Sequence, residues 1–488
     1  MERPVKNLIA CCLILGPTAW TAADVLHVPD DYPTINEALA AAQDGDTVAI
    51  AAGTYLGSYL DPNGKSIVIE GEIDGTGQPL VTIDGQQSGA VLQCRSGEDT
   101  STVFRNLILT NGSSYYGGGM TLFGASSPLI ENCLFTGNIG TIEGGGIHLR
   151  GQCHPEIISC RFENNTAPNG GGIFGLDGAS PQLVGCTISN NTATQHGGGA
   201  HFTRGAPTFD NCLISDNDAV RGGGLYTIQN CNPELTGCTF QGNLADIDGG
   251  GMYNLNNCAA TLTDCDFIEN SVSGGKFSFG GGIYNRDNSN PILVNCWFIG
   301  NSSTGVFASG GAIANTESSP SLTNCVIEDN TTAGAGGGMS NTGEACVPVI
   351  SDCVFSGNTA TNGGGLSASS GSSPSISACT ISGNIASNGG GLLSINDSSP
   401  ILADSLVCGN TGDQVVGNFV DNGGNEINPE CPPCPGDATG DGLVDVNDVL
   451  YVISAWDSPD PNADFDGDGL VDADDVLILL SHYGEACP

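Results

Sequence analysis

Apolar and polar residues alternate over short runs along most of this chain, and the runs return at a fixed interval. Ile130, Cys133 and Phe135 form one such set; Leu235, Cys238 and Phe240, and Leu322, Cys325 and Ile327, are later copies. This is strand spacing rather than helix spacing. Cysteines hold the same slot at Cys133, Cys160, Cys186, Cys212, Cys238, Cys265, Cys296, Cys325, Cys353 and Cys379, in steps of 26 to 31 residues. Five residues after each comes an asparagine, from Asn138 to Asn384, and then a glycine triplet, once Gly-Gly-Ala from Gly310. A fixed period of this length predicts a solenoid. No single repeat is long enough to bury its own apolar face, so the repeats must stack, each strand pairing with the coils above and below. The expected fold is all-β, a right-handed parallel β-helix. A β-propeller is the alternative, but its blades run to about 40 residues or more. A buried turn asparagine is expected to bond its amide to the next coil's asparagine and to the backbone.

Within the repeat, Phe135 to Asn138 is followed by Gly145-Gly146-Ile147, Phe267 to Asn270 by Gly281-Gly282-Ile283 and Phe298 to Asn301 by Gly311-Ala312-Ile313. The pattern resembles the paired repeats of the chlamydial polymorphic outer-membrane proteins, over roughly residues 106 to 410. The resemblance implies architecture. Those proteins end in a membrane barrel, which is not expected in this sequence.

Ahead of the regular coils, Thr34-x-x-Glu37 is a helix-capping signal and Ile35–Ala42 an amphipathic helix, expected to cover the open end of the stack. Thr47–Ile50, Ser66–Glu70 and Val81–Asp84 read as strands. The order of residues from Tyr32 to Tyr55 resembles the opening of pectate-lyase-like β-helix proteins, which implies fold family and secretion. Regular coils are expected from about Asn106 to Ser405; twelve of them at a ~4.8 Å rise give a rod of roughly 58 Å. Two neighbouring coils carry longer insertions, Ser271–Phe279 with Lys276, Phe277 and Phe279, and Ser302–Ser309 with Phe307.

Charge narrows the partners. The formal net charge is −42, and without residues 1–23 the chain holds nine basic against 52 acidic residues. Nucleic acid and anionic membranes are thereby excluded as partners held by charge. Arg3 and Lys6, the apolar run Leu8–Leu15 and Thr21-Ala-Ala23 form a secretory signal, and no later stretch is long enough to span a membrane. The recurring cysteines are expected as buried free thiols. Cys153, Cys231, Cys258 and Cys346 each stand seven residues before a ladder cysteine, and either bridge to it or form a second packed column. Cys431 or Cys434 is expected to pair with Cys487.

One column is expected to face outward, two residues beyond each glycine triplet: Thr121, His148, Phe174, His201, Tyr226, Tyr253, Tyr284, Ala314, Ser340, Ser367 and Leu393. The rings from His148 to Tyr284 form a row suited to sugar faces. Strand parity puts Arg150 and Arg286 on that side, with Arg204 one position further. His148, Arg150, His201 and Arg204 are the candidate cluster for catalysis, of the lyase type by their basic character. A glycoside hydrolase needs two carboxylates at a fixed separation, and Asp177 and Asp287 lie far apart along the stack. Whether the chain is an enzyme stays open: the motifs Arg-Ile-Lys, Gly-His-Gly and Asp-Pro-His-Asp are missing.

After Ser405 the pattern decays, and Cys431-Pro-Pro-Cys-Pro435 reads as a stiff linker. Asp437, Thr439, Asp441, Asp445 and Asp448 then stand at positions 1, 3, 5, 9 and 12 of an EF-hand calcium loop, with the Leu443 carbonyl at position 7. Asp464, Asp466, Asp468, Leu470, Asp472 and Asp475 repeat the set 27 residues later. Helices are expected over Val449–Trp456 and Val476–Tyr483. Thirteen acids and no lysine or arginine follow residue 436, so two Ca²⁺ ions are expected to be needed for this segment to fold. The duplicated loops, each leading into one helix, resemble a type I dockerin, which implies docking onto a cohesin. The chain departs from that family at Thr439, and at Val446-Asn447 and Ala473-Asp474.

The expected organisation is a signal peptide over 1–23, a cap and first coils over 24–105, repeated coils over 106–430, a linker over 431–436 and a dockerin-like calcium module over 437–488. The expected function is a secreted or cell-surface rod that binds or processes polysaccharide; the alternative is a non-catalytic adhesion protein.

Overall fold

The computed structural model describes residues 23–432, 434–439 and 443–484. The expected signal segment, apart from Ala23, lies outside them, as do Asp441 and Cys487. The chain winds into about fifteen coils of a parallel β-solenoid. Its four ladders hold 16, 15, 13 and 13 strands in their main paths. One coil shows the plan. Leu129–Glu131 belongs to sheet 1, Leu134–Thr136 to sheet 2, Ile139–Glu143 to sheet 3 and Ile147–Arg150 to sheet 4. Every strand pairs in parallel with its own copy one coil away, as Ile130 with Phe104 and Ile157.

The pairing runs further than the regular repeat. It begins at Val25–Val28, in the expected first coils, and continues past the twelve regular ones through Val415–Val416, Val420–Asp421 and Glu426–Asn428. Backbone pairing needs no particular side chain, which is why it outlasts the cysteine and glycine signature. Helix α1 (Ile35–Ala41) lies where expected, with the Thr34 hydroxyl accepting the N–H of Glu37 at 3.2 Å. Its Ile35, Ala38 and Leu39 are buried at the end of the core.

Left-handed residues make the bends between sheets 1 and 2. Asn132, Ser159, Asn211 and Asp264 have φ of 47°, 52°, 50° and 53° immediately before their coil's cysteine. Asparagine, aspartate and glycine adopt this conformation at least cost, which explains their recurrence there. Inside, phenylalanines of sheet 2 stack at 4.6 and 4.8 Å from Phe240 to Phe267 to Phe298.

The asparagine column forms the expected ladder. Asn138 Nδ2 donates to Asn165 Oδ1 at 3.1 Å and to the Leu109 carbonyl at 2.9 Å. The same Oδ1 accepts the backbone N–H of Asn138 at 3.1 Å. This arrangement repeats to Asn384 and Asn410, where Gln414 Oε1 accepts the last amide at 2.7 Å. A second buried ladder, which the sequence reading did not foresee, lines the inner face of sheet 4. There Thr227 donates to Asn254 at 2.6 Å, and amide bonds continue through Asn285 and Asn315 to Asn341.

The ladder cysteines are buried free thiols, as expected. Of the two readings for Cys153, Cys231, Cys258 and Cys346, the structure selects the packed column, since all four are free and buried. They share this small buried turn position with Ser126, Ala179, Ser289 and Ser318. Strands of sheet 1 separate it from the ladder cysteines. Cys431 pairs with Cys408 rather than Cys487, which fixes the linker to the last cysteine-bearing strand. Cys434 is also disulfide-bonded.

Asn243 sits mid-ladder with all its amide groups used. Replacing it by alanine leaves the buried backbone and amide N–H groups of Asn217 without their acceptor and removes one of the two donors to Asn270 Oδ1. Asn243→Ala should therefore cost about 3 kcal/mol, read as a lowered urea midpoint. A surface control such as Thr239→Ala should leave the midpoint nearly unchanged.

Candidate functional site

The glycine triplets shape a long groove that holds the ring column. The first glycine of each takes a left-handed turn, with φ of 67° at Gly144 and 65° at Gly197. A Cβ on Gly144 would lie 2.6 Å from the Ile147 carbonyl oxygen. On Gly145 and Gly146 it would meet the next coil's Gly171 and Gly172 oxygens at 2.2 and 2.6 Å. The chain thus reverses sharply, and the residue before each triplet comes to face the residue five positions later. Glu143 faces His148 at 3.4 Å, and the rings of Phe279 and Tyr284 lie 5.3 Å apart.

The outward column is in register as expected, from Thr121 and His148 through Phe174, His201, Tyr226 and Tyr253 to Tyr284 and Ala314. Its exposure is not as expected: from His148 to Tyr284 the side chains are only 1 to 7 % accessible. They point away from the rod's core, but the facing row covers them. That row reads Tyr116, Glu143, Asn169, His196, Arg221, Asp248 and Phe279. The rings also cover one another, with His148 and Phe174 stacked at 5.4 Å and Tyr253 and Tyr284 at 5.0 Å. A sugar cannot lie flat on them; they are the floor of a second, outer hydrophobic seam.

The groove opens into a cleft of about 320 Å³ whose lining includes Glu143, Asn169, Gln195, His196, His201, Thr203 and Gln229. His196 Nδ1 lies 2.9 Å from Asn169 Oδ1, which fixes the proton on Nδ1 and leaves Nε2 as acceptor. His201 Nε2 lies 3.2 Å from the Thr203 hydroxyl, and its Nδ1 has no hydrogen-bond partner. Burial, with Arg221 nearby, pushes the His196 value down. Burial, with His196 adding to it, pushes His201 down to about 3. His148 is likewise lowered by burial, against the pull of Glu143. At neutral pH the cleft's histidines are neutral, and they stand with Glu143 and with amide and hydroxyl groups over an apolar floor. The sequence reading missed His196 and its row, although they are the residues immediately before each glycine triplet.

The four candidates for catalysis do not converge. His148 and His201 are two coils apart with Phe174 between them. Arg150 ends its strand and Arg204 follows the end of its own, and Asp177 pairs with both, at 3.7 and 2.9 Å. The other described arginines are also matched: Arg221 with Asp248 at 3.0 Å and Arg286 with Asp287 at 3.5 Å on this side, and Arg95, Arg105 and Arg161 elsewhere.

In the C-terminal segment, helices α2 (Val446–Ser454) and α3 (Ala473–Ser481) start three residues earlier than expected. Asp445 and Asp472 are their N-caps, each in a reciprocal capping box with Asp448 or Asp475. Val444, Val452, Val471 and Leu479 form their common core. Asp464, Asp466 and Asp468 bring carboxylate oxygens within 4.8 Å of one another. The Asp466 carboxyl is raised: the Asp468 N–H lowers it, but desolvation and the charges of Asp468, Asp475 and Asp464 outweigh that bond. Asp475 is buried and accepts the N–H of Phe465 at 2.6 Å and of Asp472 at 2.8 Å. In the first loop Thr439 donates to Asp448 at 2.9 Å. The carboxylates present fit a hard divalent cation, which would relieve their mutual repulsion.

The buried His201 makes a pH prediction. Its folded value, about 3, lies below the 6.5 of an unfolded histidine, so the unfolded chain takes up the proton first. The stability contribution is complete above pH 6.5 and is lost as pH falls toward 3. The thermal midpoint should therefore drop less between pH 7 and 4 in His201→Phe, which matches the neighbouring Phe174, than in the parent chain.

A family model described as "Right handed beta helix region" matches residues 57–206, 145–319 and 196–359. One described as a Chlamydia polymorphic membrane protein repeat matches residues 352–369. A comparison with curated proteins finds no match. Among solved structures, a mannuronic-acid-specific family 6 polysaccharide lyase from human gut microbiota is 14 % identical, covering 84 % of this chain and 92 % of that one, with a TM-score of 0.38. The A-module of an Azotobacter vinelandii mannuronan C-5 epimerase is 14 % identical, covering 81 % and 94 %, with a TM-score of 0.34. The receptor-binding domain of the siphovirus 9NA tailspike is 12 % identical, covering 86 % and 81 %, with a TM-score of 0.32. The overlapping matches to the first model span more than half of the sequence and agree with four parallel ladders wound into one stack, so the chain belongs to the right-handed β-helix family.

Proposed function

We propose that this protein is an extracellular rod that binds polysaccharide in the cleft at His196 and His201, and that its C-terminal module holds calcium and attaches the rod to a partner. The observation that carries the binding reading is the cleft itself. It is an opening in the seam, with an apolar floor and histidine, glutamine, asparagine, threonine and glutamate side chains around it. Sugar sites combine these two features, apolar contact for C–H surfaces and polar groups for hydroxyls. Binding is favoured over turnover because Asp177 already matches Arg150 and Arg204, and His148 is enclosed.

Export is supported by the signal-like residues 1–23 and by the Cys408–Cys431 disulfide, a bond that persists in oxidising surroundings. Among the described residues no helix is long and apolar enough to cross a membrane. Attachment is supported by Leu450, Ile453, Leu477 and Leu480, which the two terminal helices leave exposed. A cohesin-like protein is the partner that the dockerin-like loops suggest. In the calcium reading, Asp464, Asp466, Asp468 and the Leu470 carbonyl would hold one ion. Asp437, Thr439, Asp441 and the Leu443 carbonyl would hold the other, with Asp448 and Asp475 turning toward the ions when bound.

Two measurements test these readings. The mature chain, with calcium, should bind at least one polysaccharide in a panel of acidic and neutral polymers, without releasing unsaturated or reducing ends. His196→Ala combined with Gln229→Ala should weaken that binding about tenfold, the loss of one or two hydrogen bonds. Product release that disappears on changing His201 and Arg204 would instead make the rod an enzyme. Calorimetry should find two Ca²⁺ per chain, and one in Asp464→Ala/Asp466→Ala. EDTA should remove the helical circular dichroism of the module while leaving the β signal of the rod.

A further inference from the structure

The two long insertions do not hang free. Phe277–Phe279 and Phe307–Ser309 pair with each other in parallel, with Phe277 opposite Phe307 and Ser278 opposite Ala308. The Phe307 N–H donates to the Lys276 carbonyl at 2.9 Å. Ser278 and Ala308 turn inward and are buried, and Phe279 rests on Tyr284 of the seam. At Gly274 the loop lies so close to the preceding coil that a Cβ would fall 1.5 Å from the Asp246 carbonyl oxygen. This small ladder therefore displays Phe277 and Phe307 on a fixed base, 5.5 Å apart and 25° from parallel. They are 45 and 55 % exposed, unlike the enclosed rings of the seam.

Lys276 completes the ridge. Its Nζ lies 5.2 Å from the centre of the Phe277 ring and 5.9 Å from that of Phe307. Every described arginine faces a carboxylate, and Lys65 donates to backbone carbonyls. Lys276 alone among the described lysines and arginines has neither kind of partner. Its three N–H groups remain available beside two open aromatic faces.

We propose that Phe277, Phe307 and Lys276 form a second binding site, separate from the cleft, for an uncharged polysaccharide lying along the rod. The inference rests on the polysaccharide reading above and adds a location and a ligand class. Sugar C–H faces stack on the rings, and the lysine donates to hydroxyl and ring oxygens. One ammonium cannot offset a chain of net charge −42, so a polyanion is repelled at low salt, and so is a second copy of this chain.

The test uses the full-length chain with calcium. Mixed-linkage β-glucan, xyloglucan and fully methyl-esterified polygalacturonate serve as uncharged polymers, with polygalacturonate and alginate as polyanions. At least one uncharged polymer should bind, more tightly than either polyanion at low salt. Phe277→Ala/Phe307→Ala should weaken binding about tenfold and Lys276→Ala about threefold, with unchanged thermal midpoints. If an uncharged polymer binds and only the His196/Gln229 variant weakens it, the ridge is not a site and the cleft reading stands. If only polyanions bind, the ligand class is wrong. If no polymer binds, both readings fall together. A concentration-dependent dimer abolished by the double phenylalanine variant would make the ridge a self-association surface and overturn the proposal.

Discussion

Parallel main-chain pairing between successive coils is the constraint on which the rest of this structure depends. It fixes the distance from each residue to its own copy at about 4.8 Å, coil after coil. A side chain is admissible at a position only if it tolerates a duplicate at that distance. Asparagine does so because one amide's N–H groups meet the next amide's oxygen. Phenylalanine does so by stacking nearly parallel, 4° off between Phe240 and Phe267. Thiols do so because they are small and bond weakly to carbonyls, as Cys160 does to Ile130 at 3.5 Å. The repeat in the sequence is the record of this selection.

The same constraint builds the groove. Glycine is required where a coil's backbone lies against the next coil's carbonyl oxygens, and its left-handed turn folds sheet 3 back over the outer face of sheet 4. Two columns then face each other along the rod, one on each side of the triplet. Most of the groove is closed by its own side chains. It opens where Thr203, Gln229 and Gln195 leave room beside His196 and His201.

Much of the fold was legible because it is periodic. The coil boundaries, the buried thiols and the asparagine ladder all follow from residues that recur at fixed offsets, and helix α1 from its Thr34–Glu37 capping signal. The site was legible only in part. Strand parity correctly sent His148, Phe174 and Tyr253 away from the core, but parity does not tell which residues lie above them. The covering row has no constant residue type: Glu143, Asn169, His196 and Arg221 share a position and nothing else. The Cys408–Cys431 bond was not legible either, because the chain after Ser405 departs from the period that would have placed Cys431 beside that strand. The terminal helices start before their apolar runs because Asp445 and Asp472 cap them, a boundary set by hydrogen bonding rather than by hydropathy.

The last residue of the asparagine ladder bears on how such a rod acquires its length. Each asparagine offers an unmet pair of donors to whatever coil comes next, so the stack behaves as a living polymer whose growing end always calls for one more unit. At Asn410 the call is answered from within: Gln414 folds back and presents Oε1 to the backbone N–H at 3.2 Å and to Nδ2 at 2.7 Å, where the next asparagine would have stood. Its extra methylene lets it reach from its own turn what an asparagine supplies from a new coil. Gln414 is in that sense a chain terminator, so coils can be duplicated or deleted upstream of it without exposing the end of the ladder.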